Sequence, residues 1–219
     1  TGEKSSGYRE AGYFPEAFIN MLAFLGWNPG TTQEIFSLDE LAASFTLERV
    51  GKAGAKFDAE KTKWFQQQYL RNTSNEELAE LLSQKLTNIY DKSTLVSICG
   101  LMKERATFVE DIIHEGRYLL ENPDSYDETV IKKKWNDQSE NLMTEWGNSL
   151  NAITSFNPQE IEAAFKAFLE ERNLSIGAVL PLFRLILTGK GMGPSMFEIA
   201  SFLGKEECIK RIKSGIQHV

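Results

Sequence analysis

The sequence contains little sulfur and little imidazole. Its two cysteines, Cys99 and Cys208, stand far apart and outside any C-x-x-C spacing, so neither a disulfide framework nor a thiolate metal site is indicated. The two histidines, His114 and His218, are too few and too distant in sequence to suggest a metal site. We therefore interpret all four side chains as structural and expect this chain to hold no metal.

Long apolar runs are also missing. No stretch approaches the roughly 20 apolar residues that cross a bilayer, and no charged-then-apolar leader precedes a cleavage site. We expect a cytoplasmic protein with no membrane partner. The formal net charge of −7 counts against simple electrostatic binding to nucleic acid, and DNA is not expected as a partner. An acidic protein can nevertheless carry one basic face.

The signatures of a self-contained enzyme are absent as well. No nucleophile stands with a base, and no carboxylate pair or metal-ligand spacing is visible. The glycine-rich segment 189–194 follows a helical pattern and lacks both the P-loop ending and the G-x-G-x-x-G spacing. We expect no catalytic residue and no phosphate cradle in this chain.

Helix signals, in contrast, recur along the sequence. Pro15 fits the first position of a helix, and Gly26 supplies the backbone freedom that would end it. Ser74 and Glu77 have the capping-box spacing before a run of leucines. Each of these signals predicts a helix boundary.

Two further helix starts are predicted in the same way. Thr107 and Glu110 repeat the capping-box spacing, and the segment Asn157-Pro158-Gln159-Glu160 combines a cap, a proline at the first helical position and an acid in the first turn. We predict a mainly α-helical protein with at most a little β structure in the first 60 residues. The breaks between helices divide it into three pieces, residues 1–71, 72–156 and 157–219.

One stretch of the first piece is rich in positive charge. Between residues 49 and 71, six cations stand against only Asp58 and Glu60, and Trp64, Gln67, Gln68 and Tyr69 are interleaved with them. Such a mixture suits a folded nucleic acid, but it also fits a solvated helix face whose two aromatic rings belong to the core. The six cations are Arg49, Lys52, Lys56, Lys61, Lys63 and Arg71.

Three separated segments resemble one family in the same order. Residues 12–27 (GYFPEAFINMLAFLGW) are followed by 47–50 (LERV) and by KFD with Lys61, Trp64 and Tyr69. Residues 182–189 (LFRLILTG), 193–199 (GPSMFEI) and 202–206 (FLGKE) complete the pattern. Together they resemble the region after the catalytic domain in bacterial-type glutamyl-tRNA synthetases. The middle, residues 72–155, matches only loosely.

The resemblance implies a tRNA-reading role. It implies a stem-contact domain over residues 1–71, followed by an all-helical anticodon-binding domain in two subdomains, 72–156 and 157–219. The HIGH-type and KMSKS-type motifs of the family's catalytic domain are absent, so ATP and Mg²⁺ are expected to serve the full-length ligase and no cofactor is expected here. The expected partner is tRNA(Glu), bound by a monomer.

Site residues also follow from the resemblance. The six cations listed above would contact the tRNA stem, while Arg105, Arg184 and Thr188 would bind the anticodon. A planar guanidinium can stack on a base and hydrogen-bond to its edge, although each arginine could equally form a surface ion pair. The alternative function is an all-helical protein-interaction module with no nucleic-acid role, which the acidic charge and aromatic stripes also fit.

Overall fold

The computed structural model describes residues 7–52 and 54–219. Over these residues the chain forms twelve α-helices and four short 3-10 turns, and the only β feature is an isolated antiparallel bridge between Trp27 and Val50. The prediction of a mainly α fold is confirmed. The chain divides into two compact units, residues 1–114 and 115–219. The three-piece division remains a prediction.

The first unit is built on a helix pair and a helical hairpin. The α1 helix packs against α3, and α4 packs against α5. Phe65, Leu70, Leu78 and Ile98 are fully buried between these helices. The elements are α1 (Pro15–Phe24), α2 (Leu38–Ser44), a 3-10 turn (Leu47–Arg49), α3 (Ala59–Asn72), α4 (Asn75–Ser83), α5 (Lys92–Met102), a 3-10 turn (Lys103–Arg105) and α6 (Val109–Gly116).

The second unit is organised around an aromatic core. The Trp146 ring centroid lies 4.9 Å from that of Phe165 and 5.5 Å from that of Phe183, and all three side chains are fully buried. The elements are a 3-10 turn (Arg117–Leu119), α7 (Glu128–Lys134), α8 (Ser139–Ser149), a 3-10 turn (Leu150–Ala152), α9 (Pro158–Glu171), α10 (Ile176–Thr188), α11 (Met196–Leu203) and α12 (Lys205–Ile216).

Most predicted helix starts are confirmed. Pro15 is the first residue of α1, and Ser74 and Glu77 exchange both hydrogen bonds of a capping box at the start of α4. The Asn157 side chain accepts a hydrogen bond from the Glu160 backbone N–H at 2.9 Å, and Pro158 opens α9. These starts depend on residues within one turn of each other, which is why the sequence reveals them.

Two predicted boundaries lie where the sequence places them, but they are formed in a different way. The α6 helix begins at Val109, and Asp111 of its first turn accepts through Oδ2 from the Thr107 and Phe108 N–H groups at 2.9 and 2.8 Å. The Thr107 hydroxyl accepts a bond from Gln67 of α3. Gly26 is not among the glycines with positive φ, and α1 already ends at Phe24. The Gly26 carbonyl instead accepts from the Gly51 N–H at 2.6 Å, so this glycine begins a paired segment.

The buried side chain of Arg211, in α12, connects three separate segments of the second unit by hydrogen bonds. Its side chain is only 3% exposed and donates to the backbone carbonyls of Tyr118, Leu187 and Glu121 at 2.6, 2.9 and 3.0 Å. Its Nε also donates to Glu207 Oε1 at 2.8 Å. Burial raises the pKa of Glu207, but hydrogen bonds from Arg211 and Lys210 outweigh it and hold that pKa below its ordinary value. The buried guanidinium therefore donates four hydrogen bonds within the second unit.

Candidate nucleic-acid interface

The α3 helix displays two of the predicted stem-contact lysines. It begins after Asp58, whose carboxylate accepts hydrogen bonds from the Glu60 and Lys61 backbone N–H groups at 2.9 and 3.1 Å. Phe65 and Leu70 of α3 are buried, whereas Lys61 and Lys63 are exposed. An amphipathic helix with a cap at its start explains why both ammonium groups face solvent.

Both lysines are paired with a nearby carboxylate. Lys61 Nζ lies 3.0 Å from Glu34 Oε1, and Lys63 Nζ lies 3.1 Å from Glu60 Oε1. All four side chains are close to half exposed or more, and such pairs contribute only about 0 to 1 kcal/mol. Either lysine can therefore exchange its carboxylate for a phosphate at small cost.

Arg71 and Arg105 lie at the same turn. The Arg71 Nη2 donates to the Glu104 carbonyl oxygen at 2.9 Å, and its Nε lies 3.4 Å from the Glu104 carboxylate. Arg105 is the next residue, in the 3-10 turn Lys103–Arg105, and it is exposed. The sequence assigned Arg71 to the stem and Arg105 to the anticodon, whereas the structure brings both near one turn of the first unit.

The remaining cations of the basic stretch differ in whether they contact the protein itself. Arg49 Nη1 donates to the Pro29 carbonyl, and a Cβ added at Gly30 would meet the Arg49 guanidinium carbon at 3.2 Å. Arg49 is thus folded back onto a turn of its own unit, although it is exposed. Lys52 and Lys56 lie in the exposed segment before α3, where they are open to a ligand.

The two aromatic residues of this stretch act mainly in packing. The Tyr69 hydroxyl donates to the Phe36 carbonyl and lies 2.9 Å from Asn20 Oδ1. Burial is the largest reason that the pKa of Tyr69 rises to about 12. The Trp64 ring centroid lies 5.1 Å from that of Phe65, and Trp64 is half-buried. Neither ring is a fully exposed platform for a base.

In the second unit, Arg184 and Thr188 lie one turn apart at the end of α10. The half-buried Arg184 donates through Nη2 to the Pro194 carbonyl at 2.8 Å. Thr188 is 3% exposed, and its hydroxyl donates to the Arg184 carbonyl at 2.8 Å while accepting from the Lys190 N–H at 3.1 Å. The Thr188 hydroxyl is therefore engaged inside the protein, whereas Arg184 contacts the following loop.

The backbone of the loop after α10 lies very close to neighbouring residues. Gly189 has φ 69°, and a Cβ there would lie 2.3 Å from the Ser125 carbonyl oxygen. A Cβ at Gly191 would meet Val130 Cγ2 at 2.6 Å, and one at Gly193 would meet Arg184 Nη1 at 2.9 Å. Gly189 is thus required, because its φ is positive and the Ser125 backbone cannot move aside, whereas at Gly191 and Gly193 the contacted atoms are ends of side chains.

One residue of this loop was missed by the sequence analysis. Met192 is 88% exposed, although the loop around it is tightly packed. Its position between Gly191 and Gly193 was the available signal, because a large apolar residue between two glycines of a fixed loop is displayed to solvent. Met192 therefore joins Arg184 as a candidate for contact with a ligand.

The described part of the chain offers no group of three or more His, Cys, Asp or Glu side chains that could hold a metal ion. None of the helices in residues 7–52 and 54–219 combines the length and the apolar character needed to cross a bilayer.

Two protein families match the chain. The family described as "Anticodon binding domain" matches residues 77–216. The family described as "tRNA synthetases class I (E and Q), catalytic domain" matches residues 2–64. The second match covers most of the segment that the sequence assigned to a stem-contact domain.

Individual relatives point the same way. The chain is 44% identical over 220 residues to the glutamate–tRNA ligase of Phocaeicola vulgatus, covering 99% of this chain and 44% of that protein. It is 42% identical to the same ligase of Christiangramia forsetii, covering 99% and 43%. The chain spans less than half the length of these curated relatives.

A solved structure is similar over nearly the whole chain. It is a crystal structure of a glutamate tRNA ligase from Elizabethkingia meningosepticum in complex with its amino acid. The two folds align with a TM-score of 0.89 at 42% identity, covering 99% of this chain and 44% of that one. The resemblance seen in the sequence motifs is confirmed by these matches.

Proposed function

The chain belongs, through residues 77–216, to the anticodon binding domain family, and from that premise we propose that it recognises tRNA as one part of a glutamate–tRNA ligase. The observation that carries the proposal is 44% identity to such a ligase over 99% of the chain. The whole class I ligase would attach glutamate to tRNA(Glu) in the cytoplasm, using ATP and Mg²⁺ bound outside this chain. We propose that the chain is monomeric and does not charge tRNA alone.

We propose that one group of residues contacts tRNA phosphates and that another contacts the anticodon. The exposed lysines before and on α3, among them Lys52, Lys56, Lys61 and Lys63, contact phosphates of the tRNA stem. Arg49 and Arg71 are held by backbone carbonyls of the protein, and in this proposal they shape the surface as well as contributing charge. Six cations on an acidic background give weak, salt-dependent binding.

Anticodon contacts are proposed for Arg184 and Arg105. In this proposal Arg184 reads a base edge beside the fixed loop 189–194, where Thr188 maintains the loop by its hydroxyl bonds to Arg184 and Lys190. Arg105 is exposed on its 3-10 turn, and in this proposal it contacts a second base. Unstacked anticodon bases suit this arrangement, because guanidinium planes both stack on bases and donate to them.

A salt titration tests the phosphate contacts. We expect the chain to bind tRNA with an affinity that falls steeply between two salt concentrations. Replacing Lys61 and Lys63 together by Ala should weaken all tRNAs similarly and reduce the salt slope by roughly one per lost phosphate contact. The matched control replaces Lys85 and Lys92, which are likewise exposed and paired with glutamates in the same unit.

The outcomes separate the two candidate functions. An unchanged slope in the Lys85/Lys92 variant together with a reduced slope in the Lys61/Lys63 variant supports the α3 surface. Thermal unfolding of both variants checks that the loss is not structural, because Lys61 Nζ also lies 5.8 Å from the Phe65 ring centroid. Absence of tRNA binding at low salt would instead favour the protein-interaction module.

A pair of tRNAs that differ only in the anticodon tests Arg184. We expect Arg184→Ala to cost on the order of 1 to 3 kcal/mol, by analogy with bidentate base contacts, and mainly on the tRNA that carries the glutamate anticodon. Thr188→Val serves as the comparison, because it removes the hydroxyl that fixes the loop but leaves the guanidinium. Equal losses on both tRNAs for Arg184→Ala would demote this residue to a structural role and move the anticodon contact to Arg105 or Met192.

A further inference from the structure

Three consecutive lysines end the α7 helix of the second unit. Lys132, Lys133 and Lys134 are all exposed. Lys132 Nζ lies 2.8 Å from Glu128 Oε2, but both side chains are largely exposed, so this pair contributes little and exchanges readily for another anion. Lysines in a last turn also complement the negative end of the helix dipole, which accounts for them without any ligand. Their surroundings distinguish a solvated helix end from a binding surface.

The positive charge of this turn is not balanced by neighbouring carboxylates. Among the described residues, Lys133 forms no ion pair, and the Lys134 ammonium donates to the Gly177 carbonyl oxygen at 3.3 Å. Asp137, the next acid along the described chain, is exposed and forms no ion pair with them. Two of the three ammonium groups are therefore exposed without a carboxylate partner.

The α7 helix runs beside α10 in the opposite direction. Just before the start of α7, the Asp127 N–H donates to the carbonyl oxygen of Gly189, the residue that follows α10, at 2.9 Å. At the end of α7, Lys134 contacts Gly177, near the start of α10. Arg184 lies between these two contacts along α10. The lysines are therefore on the helix that packs beside the candidate anticodon-contact residue.

Lys190 adds a further cation near the start of α7. It is exposed in the loop 189–194, and its side chain forms no ion pair among the described residues. The backbone N–H of Lys190 donates to the Thr188 hydroxyl at 3.1 Å, which holds the start of the loop. A Cβ at Gly191 would meet Val130 Cγ2 at 2.6 Å, so this loop lies against α7. A helix of 7 residues is about 10 Å long, so cations at its two ends are spaced to meet several phosphates.

We propose that Lys132, Lys133, Lys134 and Lys190 bind the phosphate backbone of the tRNA anticodon arm beside Arg184. The proposal rests on the proposed function and adds to it a contact that depends on charge and not on base identity. Exposed ammonium groups without carboxylate partners suit a polyanion, because their binding releases its counterions. The match of residues 77–216 to the anticodon binding domain family favours RNA over an acidic protein as the occupant.

Two triple variants with the same change in net charge test this surface. The first combines Lys132→Gln, Lys133→Gln and Lys134→Gln. The control combines substitutions of exposed lysines on α9 and α12 of the same unit, Lys166→Gln, Lys210→Gln and Lys213→Gln. We expect the first variant to bind tRNA at least roughly tenfold more weakly at low salt and to lose roughly one unit of salt slope per lost phosphate contact. The control should keep the wild-type slope.

An RNA hairpin that carries only the anticodon arm locates the contact. The first triple variant should lose as much affinity for this hairpin as for whole tRNA, and equally for the glutamate anticodon and an altered one. Lys190→Gln should reduce the salt slope by roughly one. A double variant, Lys132→Gln with Lys133→Gln, keeps the bond between Lys134 and Gly177, so it retains the effect if the triple variant unfolds. Circular dichroism and thermal unfolding show which variants are folded.

The proposal and the proposed function fail in different measurements. An unchanged slope in folded α7 variants, or equal reductions in them and in the control, would overturn the proposal and leave a solvated helix end. A loss confined to one anticodon would overturn it too, because phosphates carry no base identity. In each of these cases wild type still binds tRNA, so the proposed function stands. If wild type bound neither tRNA nor the hairpin at low salt, the proposed function would be lost and this proposal with it.

Discussion

Replacing Arg211 by Met should lower the free energy of unfolding of the second unit by about 3 to 5 kcal/mol. The substitution removes a 3% exposed cation and leaves three backbone carbonyls, those of Tyr118, Leu187 and Glu121, without their donor. Methionine fills a similar volume, so the loss measures the hydrogen bonds more than a cavity. Urea unfolding followed by circular dichroism gives the value.

Lys210→Ala is the matched control for Arg211. Lys210 lies on the same helix and pairs with the same glutamate, at 3.1 Å from Glu207 Oε2, but it is 65% exposed. An exposed pair contributes at most about 1 kcal/mol, so this variant should unfold nearly as wild type does. Similar losses in the two variants would mean that the charge of Glu207, and not the three carbonyls, determines the effect.

Gly189→Ala should destabilise the protein by about 2 to 4 kcal/mol. The residue has φ 69°, which disfavours any Cβ, and the added carbon would lie 2.3 Å from the Ser125 backbone oxygen, which cannot move away as a flexible side chain could. The loop 189–194 must shift, and with it the Pro194 carbonyl that orients Arg184. The variant should therefore also lose discrimination between anticodons.

Gly177→Ala tests whether this loss comes from the site itself. Gly177 lies near the start of the same helix, α10, and a Cβ there would meet nothing within 4 Å. Alanine should be neutral or stabilise the helix by up to about 1 kcal/mol. If Gly189→Ala unfolded at the same denaturant concentration as Gly177→Ala, the close approach to Ser125 would not contribute to the free energy of unfolding.

Local signals made much of the fold predictable. Ser74 with Glu77 and Asn157 with Pro158 specify helix starts through atoms less than one turn apart, so their neighbours in sequence decide the outcome. The helix start near Thr107 was predicted in the right place, but its capping bond was not, because a distant residue, Gln67, donates to the Thr107 hydroxyl. Tertiary partners of this kind are invisible in a single sequence.

The site was predictable in its charges but not in their pairing. The basic stretch revealed Lys61, yet its carboxylate partner Glu34 stands 27 residues earlier. Arg211 escaped notice altogether, since a Glu207–Arg211 pair at i and i+4 looks like any exposed helical ion pair. Only the positions of three carbonyls far away in sequence distinguish it from a surface arginine.

The hydrogen bonds of Arg211 also determine when the second unit can finish folding during protein synthesis. The carbonyls at residues 118, 121 and 187 are made well before the guanidinium that binds them, since Arg211 belongs to the last helix of the unit. A nascent chain that has reached α11 lacks the guanidinium that donates to these three carbonyls. The second unit therefore completes its fold only when the ribosome releases α12, whereas the first unit has all its partners available long before.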